Sequence, residues 1–161
     1  MTTDILKQIC RIVSRISSFD TLRLLETIYP SPSVIWPAGS ELESLEIQVI
    51  EAGALFDVTA RAGSLRREQF NITIAVFHRM RTDWAGRHSE QLLHETESVV
   101  KHVETLVTEL DGNFIEDESA TELLVRPLIV SSYSPTQTNL DFPGFLLKEV
   151  RFTGGLNVGL V

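Results

Sequence analysis

Four histidines are the residues of this chain best suited to proton transfer or metal binding, because imidazole titrates near neutral pH and is a common metal ligand. They are His78, His88, His94 and His102. His94 and His102 are eight residues apart in a predicted helix and about 80° apart around its axis, too far for the i, i+4 pair of a zinc-binding helix. His88 precedes Ser89, but adjacent residues seldom have the geometry of a catalytic serine–histidine pair. The histidines therefore predict neither a zinc site nor a hydrolase.

Other residue types that carry chemistry form no recognisable motif either. The sequence contains no glycine-rich phosphate loop, no nucleophile elbow, no CxxC pair and no HExxH segment. Glu116, Asp117 and Glu118 form an acidic run that could contact Ca²⁺, but the run lacks the alternating oxygen ligands and the glycine of an EF-hand loop. Cys10 is the single cysteine, and its place on an apolar helix face favours a core residue over a nucleophile. We therefore predict no catalytic residue, no cofactor and no bound metal.

The negative charge of the chain lies almost entirely in its second half. The formal net charge is −8 at pH 7. Residues 1–81 contain nine basic and nine acidic residues, whereas residues 82–161 contain five and thirteen. Between Glu90 and Glu122 there are ten acidic residues and one base, Lys101. An acidic chain without a basic cluster is a poor candidate for binding a phosphate backbone, so specific DNA recognition is not expected.

The strongest structural signal is a strand followed by a long helix. Residues 70–79 alternate between apolar side chains and a mixed second set that includes Ala75 and Phe77, which predicts a central strand partly covered on both faces. From Ser89, a suitable N-cap, to Leu110 the apolar residues recur in steps of three and four, which predicts an amphipathic helix. Its apolar face would contain Leu92, Leu93, Thr96, Val99, Val100, Val103, Leu106, Val107 and Leu110, and its polar face Glu90, Glu95, Glu97, Lys101, Glu104 and Glu109.

Shorter predicted elements surround this unit. Residues 4–17 form an amphipathic helix whose polar face carries Lys7, Arg11 and Arg15, either as a solvated surface or as a contact with an acidic neighbour such as another copy. Gly53 would mark a turn or bulge, and Pro127 would place its strand at a sheet edge or interrupt it. Besides the central strand, the pattern predicts a short helical turn at residues 22–28, an extended segment between prolines at 34–36, and strands at 45–51, 56–60, 123–130 and 145–153.

Together these elements predict one α+β domain over residues 1–161, with a mainly antiparallel sheet of about four to six strands. An N-terminal helix and one long amphipathic helix would pack on this sheet. Residues 131–144 are rich in Ser, Thr, Pro and Asn and predict a long surface loop. Residues 155–161 form an apolar C-terminal tail, expected to dock on its own sheet or on a neighbour. No apolar run approaches the roughly 18 residues of a membrane span, and no secretory signal is expected.

The order of these elements resembles the tail terminator and related neck proteins of long-tailed bacteriophages. A helix comes first, then a proline-flanked extended segment at residues 29–37 and a strand meander. The charged segment Arg67-Glu68-Gln69 leads into the central strand, and the long helix and two closing strands complete the pattern. The resemblance extends from Ile5 to Phe152 and rests on element order.

This resemblance implies a structural virion protein, not an enzyme. Such proteins close the growing tail tube as a ring, commonly of six copies, and present the surface on which the head–tail connector docks. The implied partners are other copies of the chain, the tail tube protein and the connector protein. DNA would pass through an acidic lumen without specific binding, and the protein would be located in the phage tail or neck after assembly in the host cytoplasm.

A head-to-tail ring needs two different patches on each subunit, and opposite charges would fix their orientation. The candidate interface consists of charged and aromatic residues at predicted strand ends and loops: Trp36, Arg66, Arg67, Arg79, Arg81, Trp84, Glu116, Asp117 and Glu118. Exposed ion pairs contribute only about 0–1 kcal/mol each. We therefore expect apolar segments, at residues 34–36 and 156–161, to supply the buried area.

Two alternatives from other functional classes remain at this stage. One is a small ligand-binding or regulatory domain of ferredoxin-like architecture, which would have a preformed pocket between helix and sheet. The other is an enzyme that uses His88, His94 and Asp83 near the loop before the long helix. A bound metal or a strongly shifted histidine pKa would favour this second alternative.

Overall fold

Two helices and six strands make up the part of the chain that the computed structural model describes, which is residues 3–16, 22–27, 45–62, 65–81, 88–139 and 142–159. In chain order the elements are α1 (Thr3–Ser14), β1 (Leu22–Thr27), β2 (Leu45–Ala62), β3 (Leu65–Arg79), α2 (His88–Leu110), β4 (Arg126–Tyr133), β5 (Gln137–Asn139) and β6 (Phe142–Gly159).

The strands form a single sheet in the order β1-β2-β3-β6-β4, with β5 beside β6. β1 runs parallel to β2, and the other described pairs are antiparallel. Side chains of α1 and α2 belong to one buried cluster with side chains of β2, β3 and β6, so both helices pack on the same face of the sheet. The predicted α+β fold, with a mainly antiparallel sheet and two packed helices, is confirmed.

β3 is the central strand, and both of its faces are buried. Phe70, Ile72, Ile74 and Val76 point toward the helices and are fully buried. Ala75 and Phe77 point to the opposite face, where they form a second buried cluster with Phe145 and Leu147 of β6. The prediction of a central strand covered on both sides is therefore confirmed.

One stripe of α2 faces the sheet, and this stripe is narrower than the predicted apolar face. Its buried residues are Glu95, Val99, Val103, Leu106 and Leu110. Leu92 is only partly buried, and Leu93 is 63% exposed. Because Leu93 lies two residues before Glu95, it is turned about 200° around the helix axis, toward solvent. The periodicities predict a core of Ile9, Val13, Phe70, Ile72, Ile74, Val76, Leu92, Val99, Val103, Leu106 and Phe152, and ten of these eleven residues, all but Leu92, are buried.

The chain that leaves α2 covers the outer edge of β4. Gly112 has a φ of 81°, a backbone conformation that favours glycine and ends the helix. Its N–H donates to the Leu128 carbonyl at 2.7 Å, and the Leu128 N–H donates to the Asn113 carbonyl at 2.9 Å. The Val130 N–H donates to Asp111 Oδ1 at 2.8 Å. These bonds occupy backbone groups that an edge strand would otherwise leave open.

A bulge at Gly53 joins two predicted strands into the single long strand β2. Gly53 has a φ of 90°, and the register with β3 shifts between Glu51 and Ala54. A bulge of this kind bends a strand without ending it. Pro127 likewise lies in the edge strand β4, at a register shift between Arg126 and Ile129, as its missing N–H predicts.

Two predicted segments differ from the structure. Residues 22–27 form a strand instead of a helical turn, because parallel pairing with β2 supplies the backbone hydrogen bonds. The predicted loop at residues 131–144 contains the end of β4, all of β5 and the start of β6. Its Ser and Thr residues are compatible with an exposed edge, where pairing with β6 decides the conformation.

The predicted apolar tail is part of β6. This strand pairs with β3 as far as Gly159, and Leu156 is buried in the core. Residues 155–159 thus lie in the sheet of their own chain, which is one of the two expected positions of the tail. Removing the chain after Gly155 would therefore remove core packing as well as any interface. The predicted extended segment at residues 34–36 lies outside the described residues.

Neither described helix combines the length and the apolar content that a bilayer crossing requires.

The burial pattern of α2 predicts opposite results for two substitutions. Val103→Asp places a charge at a position that is 1% exposed, and should lower the free energy of unfolding by about 3 kcal/mol or more. Leu93→Asp introduces the same charge at an exposed position and should change it by less than about 0.5 kcal/mol. Urea denaturation of both variants measures the difference. Equal losses would contradict the assigned helix faces.

Close packing between β6 and β3 predicts a second contrast. A Cβ atom added at Gly154 would lie 2.5 Å from Phe70 Cζ and 3.2 Å from Leu128 Cδ2, and both side chains are fully buried. Gly154→Ala should therefore destabilise the fold by about 1–3 kcal/mol. Gly144→Ala is the control, since a Cβ there meets no atom within 4 Å. Thermal denaturation that ranks the two variants equally would refute this packing.

Candidate functional site

The predicted interface residues do not gather on one surface. Arg66 and Arg67 lie near the start of β3, whereas Arg79 is its last residue and Arg81 follows it. At a rise of about 3.3 Å per residue, these two groups are roughly 40 Å apart along the strand. Trp36 and Trp84 lie outside the described residues. The structure therefore separates the predicted basic residues into two groups at opposite ends of the sheet.

The acidic run at residues 116–118 forms a compact turn. Asp117 Oδ1 accepts hydrogen bonds from the backbone N–H groups of Ser119 at 2.8 Å and Thr121 at 2.9 Å. Glu116 forms a single β-bridge with Glu122 across this turn. The Asp117 carboxylate thus stabilises its own loop, as short polar side chains commonly do in turns.

Glu118 pairs with α1 of the same chain. Its Oε1 lies 2.5 Å from Nη2 of Arg11, and both side chains are exposed. Of the two alternatives for the basic face of α1, a solvated surface or a contact with an acidic neighbour, Arg11 shows the contact, and the neighbour is a loop of the same subunit. An exposed pair of this kind contributes little to stability, about 0–1 kcal/mol.

A buried polar cluster joins the end of β3 to α2, and Glu95 is at its centre. Glu95 is 1% exposed. Its Oε2 pairs with Nε2 of His78, and its Oε1 accepts the backbone N–H of Arg81 at 3.0 Å. Gln91, one turn earlier on α2, donates from Nε2 to the Arg81 carbonyl at 2.5 Å. Both carboxylate oxygens of Glu95 are therefore occupied, which offsets the cost of burying a charge.

His102 extends this cluster along α2. The ring centroids of His78 and His102 are 5.8 Å apart. Burial of His102, together with repulsion from His78, lowers the pKa of His102 below its ordinary value of 6.5. Burial opposes ionisation of Glu95, but the hydrogen bonds from Arg81 and His78 and the charges of His78 and His94 outweigh it and hold the pKa of Glu95 below 4.5. The cluster thus contains the Glu95 carboxylate, paired with His78, and His102 on the other side of His78, whose imidazole stays neutral more readily than usual.

The arrangement is suited to positioning α2 against the sheet. Within the ranges that the structure describes, no three His, Cys, Asp or Glu side chains converge as metal ligands. His88 and His94 are both exposed, and Asp83 lies outside the described residues. The structure therefore brings together His78 and His102 with a glutamate, a different set from the three residues of the enzyme alternative.

Glu95 is the residue that the sequence pattern misplaced, since it was predicted on the polar face of the helix. The missed signal is its spacing. Glu95 precedes Val99 by four residues and Val103 by eight, so it continues the buried stripe of α2. A glutamate in such a stripe needs a buried partner, and the alternating pattern of β3 places His78 on the helix-facing side.

The sheet face away from the helices carries a polar groove. It has a volume of about 630 Å³. Its hydroxyl, amide and charged side chains come from β3, β4 and β6, namely Asn71, Thr73, Ser131, Ser132, Glu149, Arg151 and Thr153, and β2 contributes Ile50 and Ala52. Pockets for small ligands are mostly apolar with a few polar groups, so this composition is more typical of a contact surface.

Comparison of the chain with known proteins found no matching family model and no matching curated relative.

The Glu95 cluster predicts a specific pH dependence of stability. Because the pKa of His102 is lowered by folding, the unfolded chain binds its proton first, and stability should fall as pH decreases from 6.5 toward the folded pKa. The contribution of Glu95 is present above pH 4.5 and is lost as pH falls through its lowered pKa. Urea denaturation across this range measures both effects. The variant His102→Gln should lose less stability than the wild-type chain as pH decreases below 6.5.

At neutral pH, Glu95→Gln should lower the free energy of unfolding by about 1–3 kcal/mol. The amide is uncharged, and its single oxygen cannot accept the hydrogen bonds of both His78 and the Arg81 N–H. Glu109→Gln, an exposed change on the same helix, is the matched control. Equal stability of the two variants would show that the buried pair does not hold α2.

Proposed function

We propose that this chain is a structural subunit of a phage tail, which closes the tail tube as a ring and presents the docking surface for the head–tail connector. The proposal rests on the resemblance in element order and on one structural observation, the length of three strands. β2 and β6 each contain 18 residues and β3 contains 15. Strands of globular proteins usually contain about five or six residues.

Beyond Phe70 these strands continue as a three-stranded arm, which we define as residues 55–62, 65–69 and 157–159. Phe70 is the first apolar side chain of β3 that the structure describes as buried. Before it, Gln69 is exposed, Glu68 is buried and Arg67 is partly buried. β1 pairs with β2 only as far as Ile50, and the described pairing of β4 with β6 ends at Gly155. An arm with such edges suits contact with other chains, because open strand edges readily pair.

The distribution of charge supports the same function. The acidic residues are concentrated between residues 90 and 122, while Arg66 and Arg67 lie near the start of β3. Opposite charges on separate surfaces favour a head-to-tail contact, which closes into a ring when the rotation between subunits permits. A net charge of −8 would also disfavour tight binding of the DNA that passes through such a ring.

No specific observation favours the two alternatives. A ferredoxin-like domain contains a split βαβ unit, in which another strand lies between the parallel strands. Here the parallel strands β1 and β2 are direct neighbours. The polar groove lies on the sheet face away from the helices, whereas a ligand-binding domain of that type would have its pocket between helix and sheet.

Binding to tail tubes tests the proposal. The purified chain is mixed with tubes assembled from the tail tube protein of the same genome, and an unrelated acidic protein of similar mass is the control. We expect co-sedimentation with the tubes, and electron microscopy should show a ring, commonly of six subunits, at one end of each tube. Tubes whose ends remain bare at saturating protein would refute the proposed function.

A further inference from the structure

A small pocket near the base of the arm is lined by two arginines. Its volume is about 140 Å³, and Arg67, Gln69, Arg126, Pro127, Ile129 and Gly155 are among the lining residues. A water molecule in the liquid occupies about 30 Å³, so the pocket has room for one small polar group. It is too small for a drug-sized ligand, which needs about 300 Å³ or more.

Neither arginine is neutralised by the described part of its own chain. Arg67 Nε is buried and has no hydrogen-bond partner among the described residues. Among the side chains that the structure describes, neither Arg67 nor Arg126 forms an ion pair. Glu68 also lines the pocket, but it is 3% exposed and already interacts elsewhere in the chain. Because a buried polar group without a partner is unusual in a native protein, an additional acceptor at this pocket is expected.

The acceptor that fits best is a carboxylate. The guanidinium group presents parallel N–H donors that match the two oxygens of a carboxylate or a phosphate. The buried carboxylate of Glu68 beside the pocket and the net charge of −8 both disfavour a multiply charged phosphate backbone. A single carboxylate carries less charge and fits the volume.

The exposed face of α2 carries carboxylates in a matching arrangement. Glu90, Glu97 and Glu104 are seven residues apart and are all exposed, so they form one acidic stripe on the helix surface. Leu93 lies three residues after Glu90 and four before Glu97, so it is next to both on the helix surface, and it is 63% exposed. On the pocket side, Ile129 is 51% exposed. Each surface thus combines charge with one exposed apolar side chain, and the charges are opposite.

Glu90 and Glu97, at the start of the stripe, cannot reach this pocket within one subunit. The acidic stripe begins beside the end of β3, where Glu95 and Gln91 bond to Arg81. Arg67 lies fourteen residues before Arg81, which corresponds to roughly 45 Å along an extended strand. A contact between the stripe and the pocket therefore requires a second copy of the chain.

We propose that the Arg67–Arg126 pocket of one copy receives a carboxylate from Glu90 or Glu97 of a second copy, while Leu93 of that copy packs on Ile129. The contact joins two different surfaces, so it is head-to-tail and repeats around a closed ring. We infer that this contact joins neighbouring subunits of the proposed tail ring, so the inference rests on the proposed function.

Sedimentation velocity of the full chain at low salt tests the contact. The wild-type chain should associate as its concentration rises, and Arg67→Gln, Arg126→Gln or the double variant Glu90→Gln/Glu97→Gln should each raise the dissociation constant about tenfold or more. Leu93→Ser and Ile129→Ser should also weaken association. The matched controls are Glu109→Gln on another side of α2 and Arg15→Gln on α1, and neither should change it. Circular dichroism verifies that each variant remains folded.

A charge exchange gives the sharpest result. Arg126→Glu and Glu90→Arg/Glu97→Arg should each abolish association alone. An equimolar mixture of these two variants should associate again, because each damaged surface then faces a complementary one. A mixture that stays monomeric would overturn the proposed pairing.

Other outcomes separate this contact from its alternatives. A wild-type chain that stays monomeric at all concentrations, or arginine variants that associate as strongly as wild type, would overturn the contact. Binding of a short DNA duplex that Arg67→Gln removes would assign the pocket to phosphate instead. A chain that caps tail tubes without self-association would retain the proposed function and lose the contact. Self-association through these residues without tube capping would retain the contact and refute the proposed function.

Discussion

The pairing of β3 with β2 on one edge and β6 on the other is the constraint on which the rest of the structure depends. Both ladders run along most of β3, and the strand is buried on both faces between Ile72 and Phe77. A slip of one residue would exchange the two faces and place Thr73 and Ala75 in the helix-facing core. The register of the sheet is therefore strongly specified, and it sets where the two helices can pack.

Polar contacts then fix the position of α2 on this sheet at both of its ends. Near its start, Glu95 bonds to His78 and to the backbone of Arg81. At its end, Asp111 and Gly112 bond to β4. Buried polar groups are costly unless fully paired, so these contacts disfavour rotation or sliding of the helix more specifically than apolar packing does. The orientation of α2 in turn decides which glutamates reach solvent.

The surfaces outside the core differ in charge and in shape. The arm of β2, β3 and β6 extends beyond the described pairing of β1 and β4 and has an arginine-lined pocket near its base, whereas the outer face of α2 is acidic. Unlike surfaces at two ends of a subunit are what a head-to-tail assembly requires.

The alternating and helical periodicities were sufficient to predict the α+β class, the central strand β3, the span of α2 and ten of eleven core residues, because these follow from which side chains avoid water. The bulge at Gly53 and the edge position of Pro127 followed from the backbone limits of glycine and the missing N–H of proline. Pairing decided the rest: β1, β5 and the end of β6 are strands because neighbouring strands bond to them. The Glu95–His78 contact and the Arg67–Arg126 pocket join residues 17 and 59 positions apart, and no local pattern encodes such distances. Only the tertiary structure could bring them together.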